Sequence, residues 1–239
     1  MKAKIASAAL AVTLGFFANS VFAQDSDQQQ EAASPFVTTL TFASDYRFRG
    51  ISQTLNNPAL QLSTTYSTDS GVYLGIFASN VDFGGDVGAN LEVDLNAGWA
   101  GEIADGLEAD VQINRYNYPG DDIPLAYTEL LGKLSYAGLS GLIGYSNDVF
   151  NTNETGIYYN LGYSLLIAGE YNFAASIGYY NLDDPADYGG SIVDKSIGVS
   201  RDFGPLNVGI SYFNTNGAFE NIYGETNDSQ FVFSMTATF

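Results

Sequence analysis

The chain has 239 residues with no cysteine and no histidine, and 8 Lys+Arg against 27 Asp+Glu give it a formal net charge of −19. The two absences exclude disulfide frameworks, thiolate zinc sites, iron–sulfur ligation and any Ser-His-Asp triad, and the acidic balance argues against nucleic-acid binding, which needs cations to neutralise phosphates. Aromatic residues make up 14% and charged residues only 15%, below the usual charged share of about 25%, so the composition is that of an aromatic-rich β protein rather than an acidic disordered tail.

The opening segment, Met1–Ala23, carries basic Lys2 and Lys4, an apolar run from Ile5 to Phe17, and small or β-branched residues (Val21, Ala23) three and one positions before a cut after Ala23. That is the pattern of a secretory signal peptide, and the run is shorter than the roughly 20 residues a spanning helix needs. Its removal takes both lysines with it, so the mature chain, from Gln24 onward, is more acidic still. Residues 24–35 are polar and low in complexity, and are expected to form a flexible periplasmic lead-in to a barrel over 36–239.

From Phe36 onward, apolar and polar residues alternate with period two in segments of about ten, the signature of strands in a membrane barrel. In chain order the expected strands are 36–49, 58–68, 71–80, one opening at Leu91-Glu-Val-Asp-Leu-Asn-Ala-Gly-Trp99, one at Leu107-Glu-Ala-Asp-Val-Gln-Ile-Asn114, then 125–136, 139–146, 155–165, 170–181, 192–201, 205–213 and 229–239. The fold class is therefore all-β: a transmembrane antiparallel up-and-down barrel of about twelve strands, with ten to fourteen as the range. Its connections alternate long and short, as external loops and periplasmic turns do. The long ones are 50–57, 81–90, 117–124, 147–154, 181–191 and 214–228.

The alternation assigns faces. Outward positions such as Leu60, Leu62, Leu74, Ile76, Val208 and Ile210 carry no charge, while Arg115, Lys195 and Arg201 sit near strand ends, where long side chains reach headgroups. Tyr46, Phe48, Trp99 and Arg115 are assigned to the membrane interface. The closing segment places Phe231, Phe233, Met235 and Phe239 on one face with an aromatic as final residue, and bacterial outer-membrane proteins end in a similar way, as a signal to the barrel assembly machinery.

Ser44-Asp-Tyr-Arg-Phe-Arg-Gly-Ile-Ser-Gln-Thr-Leu-Asn-Asn-Pro-Ala-Leu-Gln61, with Gly71-Val-Tyr-Leu-Gly-Ile-Phe-Ala-Ser-Asn-Val-Asp-Phe83 and Leu91-Glu-Val-Asp-Leu-Asn-Ala-Gly98, resembles the opening block of the TorF family of porins. The resemblance implies a porin-like barrel in the outer membrane of a Gram-negative bacterium, and brings no catalytic residue to transfer. Its partners would be outer-membrane lipid and lipopolysaccharide, the assembly machinery, and small ions or solutes; assembly into homo-oligomers is left open.

Read by period two, the block puts Asp45, Arg47 and Arg49 on the inner face and Tyr46 and Phe48 on the outer. Glu92, Asp94, Glu108, Asp110 and Glu129 then oppose the two arginines as pore-lining residues. Side-chain charges inside a pore bias which ions pass, and the excess of acids points to a mild cation preference. The same charges could instead pin strands together and fill a narrow barrel, which leaves a non-conducting structural or surface barrel as the alternative. Acidic loop pairs such as Asp121-Asp122 and Asp183-Asp184 lack the spacing of a calcium loop, so no metal or other cofactor is expected. Without histidine, enzyme activity would have to rest on paired carboxylates, and barrel alternation explains those acids without catalysis.

Overall fold

The computed structural model describes residues 34–84, 88–120, 122, 124–183, 191–216 and 229–239. The expected signal peptide and nearly all of the lead-in, with Asp121 and Asp184, lie outside these residues.

Twelve long strands close into one barrel: β1 (Phe36–Ala43), β4 (Ala59–Ser67), β5 (Val72–Asn80), β6 (Leu91–Ala104), β7 (Leu107–Asn117), β8 (Tyr127–Tyr136), β9 (Leu139–Ser146), β10 (Gly156–Ile167), β11 (Tyr171–Leu182), β12 (Ile192–Phe203), β13 (Leu206–Thr215) and β14 (Gln230–Thr238). Two short strands, β2 (Arg47–Phe48) and β3 (Ile51–Ser52), form a separate hairpin. Each long strand pairs antiparallel with its sequence neighbours, and β1 closes the ring by pairing with both β4 (Leu40 opposite Leu62) and β14 (Leu40 opposite Ala237). Closure leaves no unpaired edge. The short turns lie at one end of the barrel with the start of β1 and the end of β14, and the described parts of the long connections leave the strands at the other end.

Alternation decides the two faces. In β6, Leu91, Leu95 and Trp99 are exposed while Glu92 and Asp94 are almost fully enclosed. Mid-wall outward residues are aliphatic and bare: Ile76 is 45% exposed, Leu130 54% and Leu161 53%. Exposed aromatics bracket this band. Tyr66, Trp99, Tyr136, Tyr163, Tyr171 and Phe203 ring the turn end, and Tyr145, Tyr159, Tyr179 and Phe231 ring the loop end. A contiguous apolar exterior of this extent is rare on soluble monomers and marks a surface that meets lipid or another protein. The interior differs along its length. Toward the turn end it is lined by small residues such as Gly98, Ser140, Ser176 and Gly209, and toward the loop end by tyrosines, carboxylates and the chain between β1 and β4.

That chain segment departs from the sequence reading. The first strand ends at Ala43 rather than running to Arg49, and residues 44–58 fold into the lumen. Arg49 and Gly50 adopt positive φ (50° and 80°), as do Leu55 and Asn56, and these left-handed turns break the extended run. Gly50 is required here twice over: its φ favours glycine, and a Cβ would collide with Thr215 on β13 and Asp194 on β12. Tyr46 and Phe48 consequently do not face outward. They are enclosed in an inner cluster with Ala59, Tyr116, Tyr118 and Tyr127, and Tyr46 packs edge-on to Phe77 with ring centroids 6.0 Å apart.

Candidate functional site: the plugged end of the lumen

The inward loop is organised by its own charges. The Asp45 carboxylate accepts a hydrogen bond from Nε of Arg47 and one of 3.1 Å from the Thr54 hydroxyl. Arg47 also donates to the Gly50 carbonyl at 3.0 Å and to the Asn56 side chain. Asp45 and Arg47, expected to face the acids across the pore, therefore form an ion pair within the loop.

Arg49 reaches the wall. Its Nη2 donates to both carboxylate oxygens of Glu129 at 2.6 and 2.7 Å, and both residues are buried. The guanidinium lies over Tyr158 at 4.3 Å, Tyr180 at 4.5 Å and Phe48 at 4.7 Å, measured from Cζ to ring centroid. Tyr158 donates in turn to Asp194 at 3.1 Å, and Tyr116 donates to Glu129 at 2.9 Å while stacking on Tyr127 at 4.4 Å. Burial opposes the Arg49 charge, but the Glu129 carboxylate more than offsets it, so its pKa is raised and the guanidinium stays protonated. Burial, with Glu92 adding to it, likewise pushes the loop phenols Tyr46 and Tyr118 well above the usual range, so both stay neutral.

The remaining predicted lumen acids are spread along the wall. Glu92 accepts from Tyr118 at 3.1 Å, Asp94 from Asn114 at 3.4 Å, and Asp110 from Tyr73 at 2.7 Å. One oxygen of each (Glu92 Oε2, Asp94 Oδ1, Asp110 Oδ2) accepts no hydrogen bond from the described residues. Glu108 lies on the same inner face nearer the turn end, where it is exposed. The structure thus brings Arg49 and Glu129 together, but not Arg47 with any of the predicted acids of the wall. On the outer face, Trp99 donates to the Ser70 carbonyl at 2.9 Å, Arg115 to Thr128 at 3.2 Å, and Arg201 pairs with Glu170 at 2.7 Å. Phe231, Phe233, Met235 and Phe239 all point outward from the last strand, with Phe239 the most exposed.

Sequence reasoning missed Asp194, Lys133, Tyr158 and Tyr180. The alternation that placed Lys195 and Tyr179 outward also placed Asp194 and Tyr180 inward, so the signal was present. Lys133 stands opposite Asp110 across β7 and β8.

A closed twelve-stranded barrel with an apolar outside and a charged inside has the architecture of the outer-membrane porins. Among solved structures, the chain is similar to the NanC porin (TM-score 0.57, 12% identity, 85% of this chain and 98% of that one) and to the KdgM porin (0.56, 8%, 85% and 99%). It is also similar to a KdgM porin in complex with disordered oligogalacturonate (0.52, 8%, 85% and 97%). The chain belongs to the Gcw_chp family, described as bacterial protein of unknown function, whose profile matches residues 29–239. No curated protein matches the sequence significantly.

Proposed function

We propose that this chain is an outer-membrane porin of the TorF type, exported by the Met1–Ala23 segment, that passes small ions or solutes with a mild preference for cations. The observation that carries this reading is the distribution of charge. The outward wall is aliphatic between two aromatic rings, as lipid requires, and the lumen holds Asp45, Glu92, Asp94, Glu108, Asp110, Glu129 and Asp194 against Arg47, Arg49 and Lys133. The bound oligogalacturonate of the similar KdgM porin is a polyanion, and it would meet like charge here.

In this orientation the turn end is periplasmic, Trp99 and Arg115 lie at opposite headgroup levels, and Phe239 closes the strand read by the assembly machinery. Asp45, Glu92, Asp94, Asp110, Glu129 and Asp194 each have a tyrosine, asparagine or arginine partner, which favours a channel over a catalyst. Reversal potentials of refolded protein in a salt gradient across a planar bilayer test the proposal, and cation selectivity is expected. Anion selectivity or the absence of conductance would overturn it. Glu108→Gln, at an exposed position of the inner face, should lower the cation permeability ratio, because a lumen charge acts chiefly on the ions beside it.

One observation favours a second reading, a non-conducting barrel: residues 44–58 and the surrounding rings fill the loop-end half of the lumen. Uptake of small solutes by loaded liposomes separates the two.

A further inference from the structure

We propose that the wall around Arg49 is a binding site for soluble guanidinium cations, and that the loop's own arginine occupies it as a tethered stand-in for them. The proposal rests on the porin reading for how a solute reaches the site, and not for the chemistry of the site itself.

The receptor half of the contact belongs entirely to the barrel. Glu129 comes from β8, Tyr158 from β10, Tyr180 from β11 and Asp194 from β12, and each is at most 4% exposed. These positions are held by the strand ladders and stay where they are whether or not the loop does. The loop brings the cation and the Phe48 ring. Room for the site is built in at Gly178 on β11, where a Cβ would collide with Asp194 and the Tyr158 hydroxyl.

The arrangement is selective for one kind of ligand. Two tyrosine faces 4.3 and 4.5 Å from Cζ attract a cation through their ring quadrupoles, and a flat guanidinium stacks on such faces where a rounded ammonium does not. Glu129 supplies a carboxylate at the edge of the plane, the geometry for forked N–H donors. With Arg49 withdrawn, Glu129 and Asp194 would be two buried acids facing one aromatic box. Arg47 is bonded within its own loop and Lys133 stands opposite Asp110, so neither supplies the replacement charge.

The tethered arginine fills this site imperfectly. Its Nη2 serves both oxygens of Glu129 while Nη1 has no hydrogen-bond partner among the described residues. Two parallel bonds from two nitrogens would be stronger. The left-handed backbone at Arg49 and Gly50 fixes where the side chain starts, whereas a soluble guanidinium is free to turn into the forked pose. Against this the loop has the advantage of local concentration, on the order of millimolar for a short tether. A soluble ligand must exceed that level to displace it, and displacement removes the contact by which Arg49 holds the loop to Glu129.

The test uses the full mature barrel refolded in detergent, titrated calorimetrically with L-arginine and with L-citrulline, its uncharged isostere. Arg49→Met removes the competitor while keeping an apolar stem against the rings. It should bind arginine about tenfold more tightly than the unmodified barrel, as loss of a tethered competitor implies, and should not bind citrulline. Adding Glu129→Gln should weaken arginine binding by about tenfold or more through loss of the charge-assisted bonds. Failure of Arg49→Met to discriminate arginine from citrulline, or undiminished affinity with Glu129→Gln, would overturn the proposal. Should Arg49→Met lack the heat-modifiable mobility of a folded barrel, Arg49→Lys serves instead: an ammonium, held over the rings by cation–π attraction without stacking, competes less well, so arginine should still bind more tightly than in the unmodified protein, and equal affinity would overturn the site. A barrel that binds arginine but never conducts sinks the porin reading alone, and one that conducts without telling arginine from citrulline sinks the site alone.

Discussion

Arg49 is charged, enclosed and carried by a loop, and its energetics follow from that combination. A buried guanidinium is tolerable because Glu129 lies 2.6 Å away, 80 residues further along the chain. Removing one partner of such a pair leaves an uncompensated buried charge and typically costs about 3–5 kcal/mol. Glu129→Gln is therefore expected to loosen residues 44–58 without opening the wall, seen as faster proteolysis of the loop in a barrel that keeps its heat-modifiable mobility. Unchanged protection of the loop would show that the aromatic packing of Tyr46 and Phe48 holds it instead. Gly50 makes a complementary case. Gly50→Ala adds both a left-handed strain and a collision with Asp194 and Thr215, a combined cost of about 1–3 kcal/mol, and the same proteolysis assay should report it.

Strands and loop obey different rules. A strand's outward positions can be tested one at a time: Leu130→Lys, at mid-wall and 54% exposed, should cost about 2–4 kcal/mol in urea unfolding from lipid vesicles. Ser176→Ala on the inner face loses one hydroxyl contact to Ser196 and should cost no more than about 1 kcal/mol. Similar costs at the two positions would contradict the assignment of faces. The loop answers to removal as a unit. Replacing residues 46–56 by a short Gly-Ser turn empties the loop-end half of the lumen, and single-channel conductance is expected to rise severalfold. No change would mean that other segments set the constriction. The loop is also where the sequence pattern misleads. Ser44 to Arg49 continues the period-two alternation of β1, and only the left-handed turn at Arg49 and Gly50 shows the run to be a fold-back. Gly50 was the one visible hint, since a glycine inside a strand pattern often marks a bend or a close backbone approach.

At the scale of the whole molecule, the acidic composition divides by location. Carboxylates enter the lumen, aliphatic side chains face outward, and aromatics ring the two ends of the wall. This pattern predicts that the protein partitions into the membrane fraction, resists extraction by salt and migrates faster on gels before heating than after; release by high salt alone would point to a peripheral protein instead. The twelve strands, their short and long connections and the outward faces of Leu60, Ile76 and Ile210 were legible in the sequence because alternation is a local property of each segment, set by which side of the strand meets water. The entry of residues 44–58 into the lumen, the Asp45–Arg47 pair within the loop, and the box of Glu129, Tyr158, Tyr180 and Asp194 around Arg49 were decided only by the tertiary structure. Their partners come from strands far apart in sequence, and nothing short of barrel closure brings those strands within reach of one guanidinium.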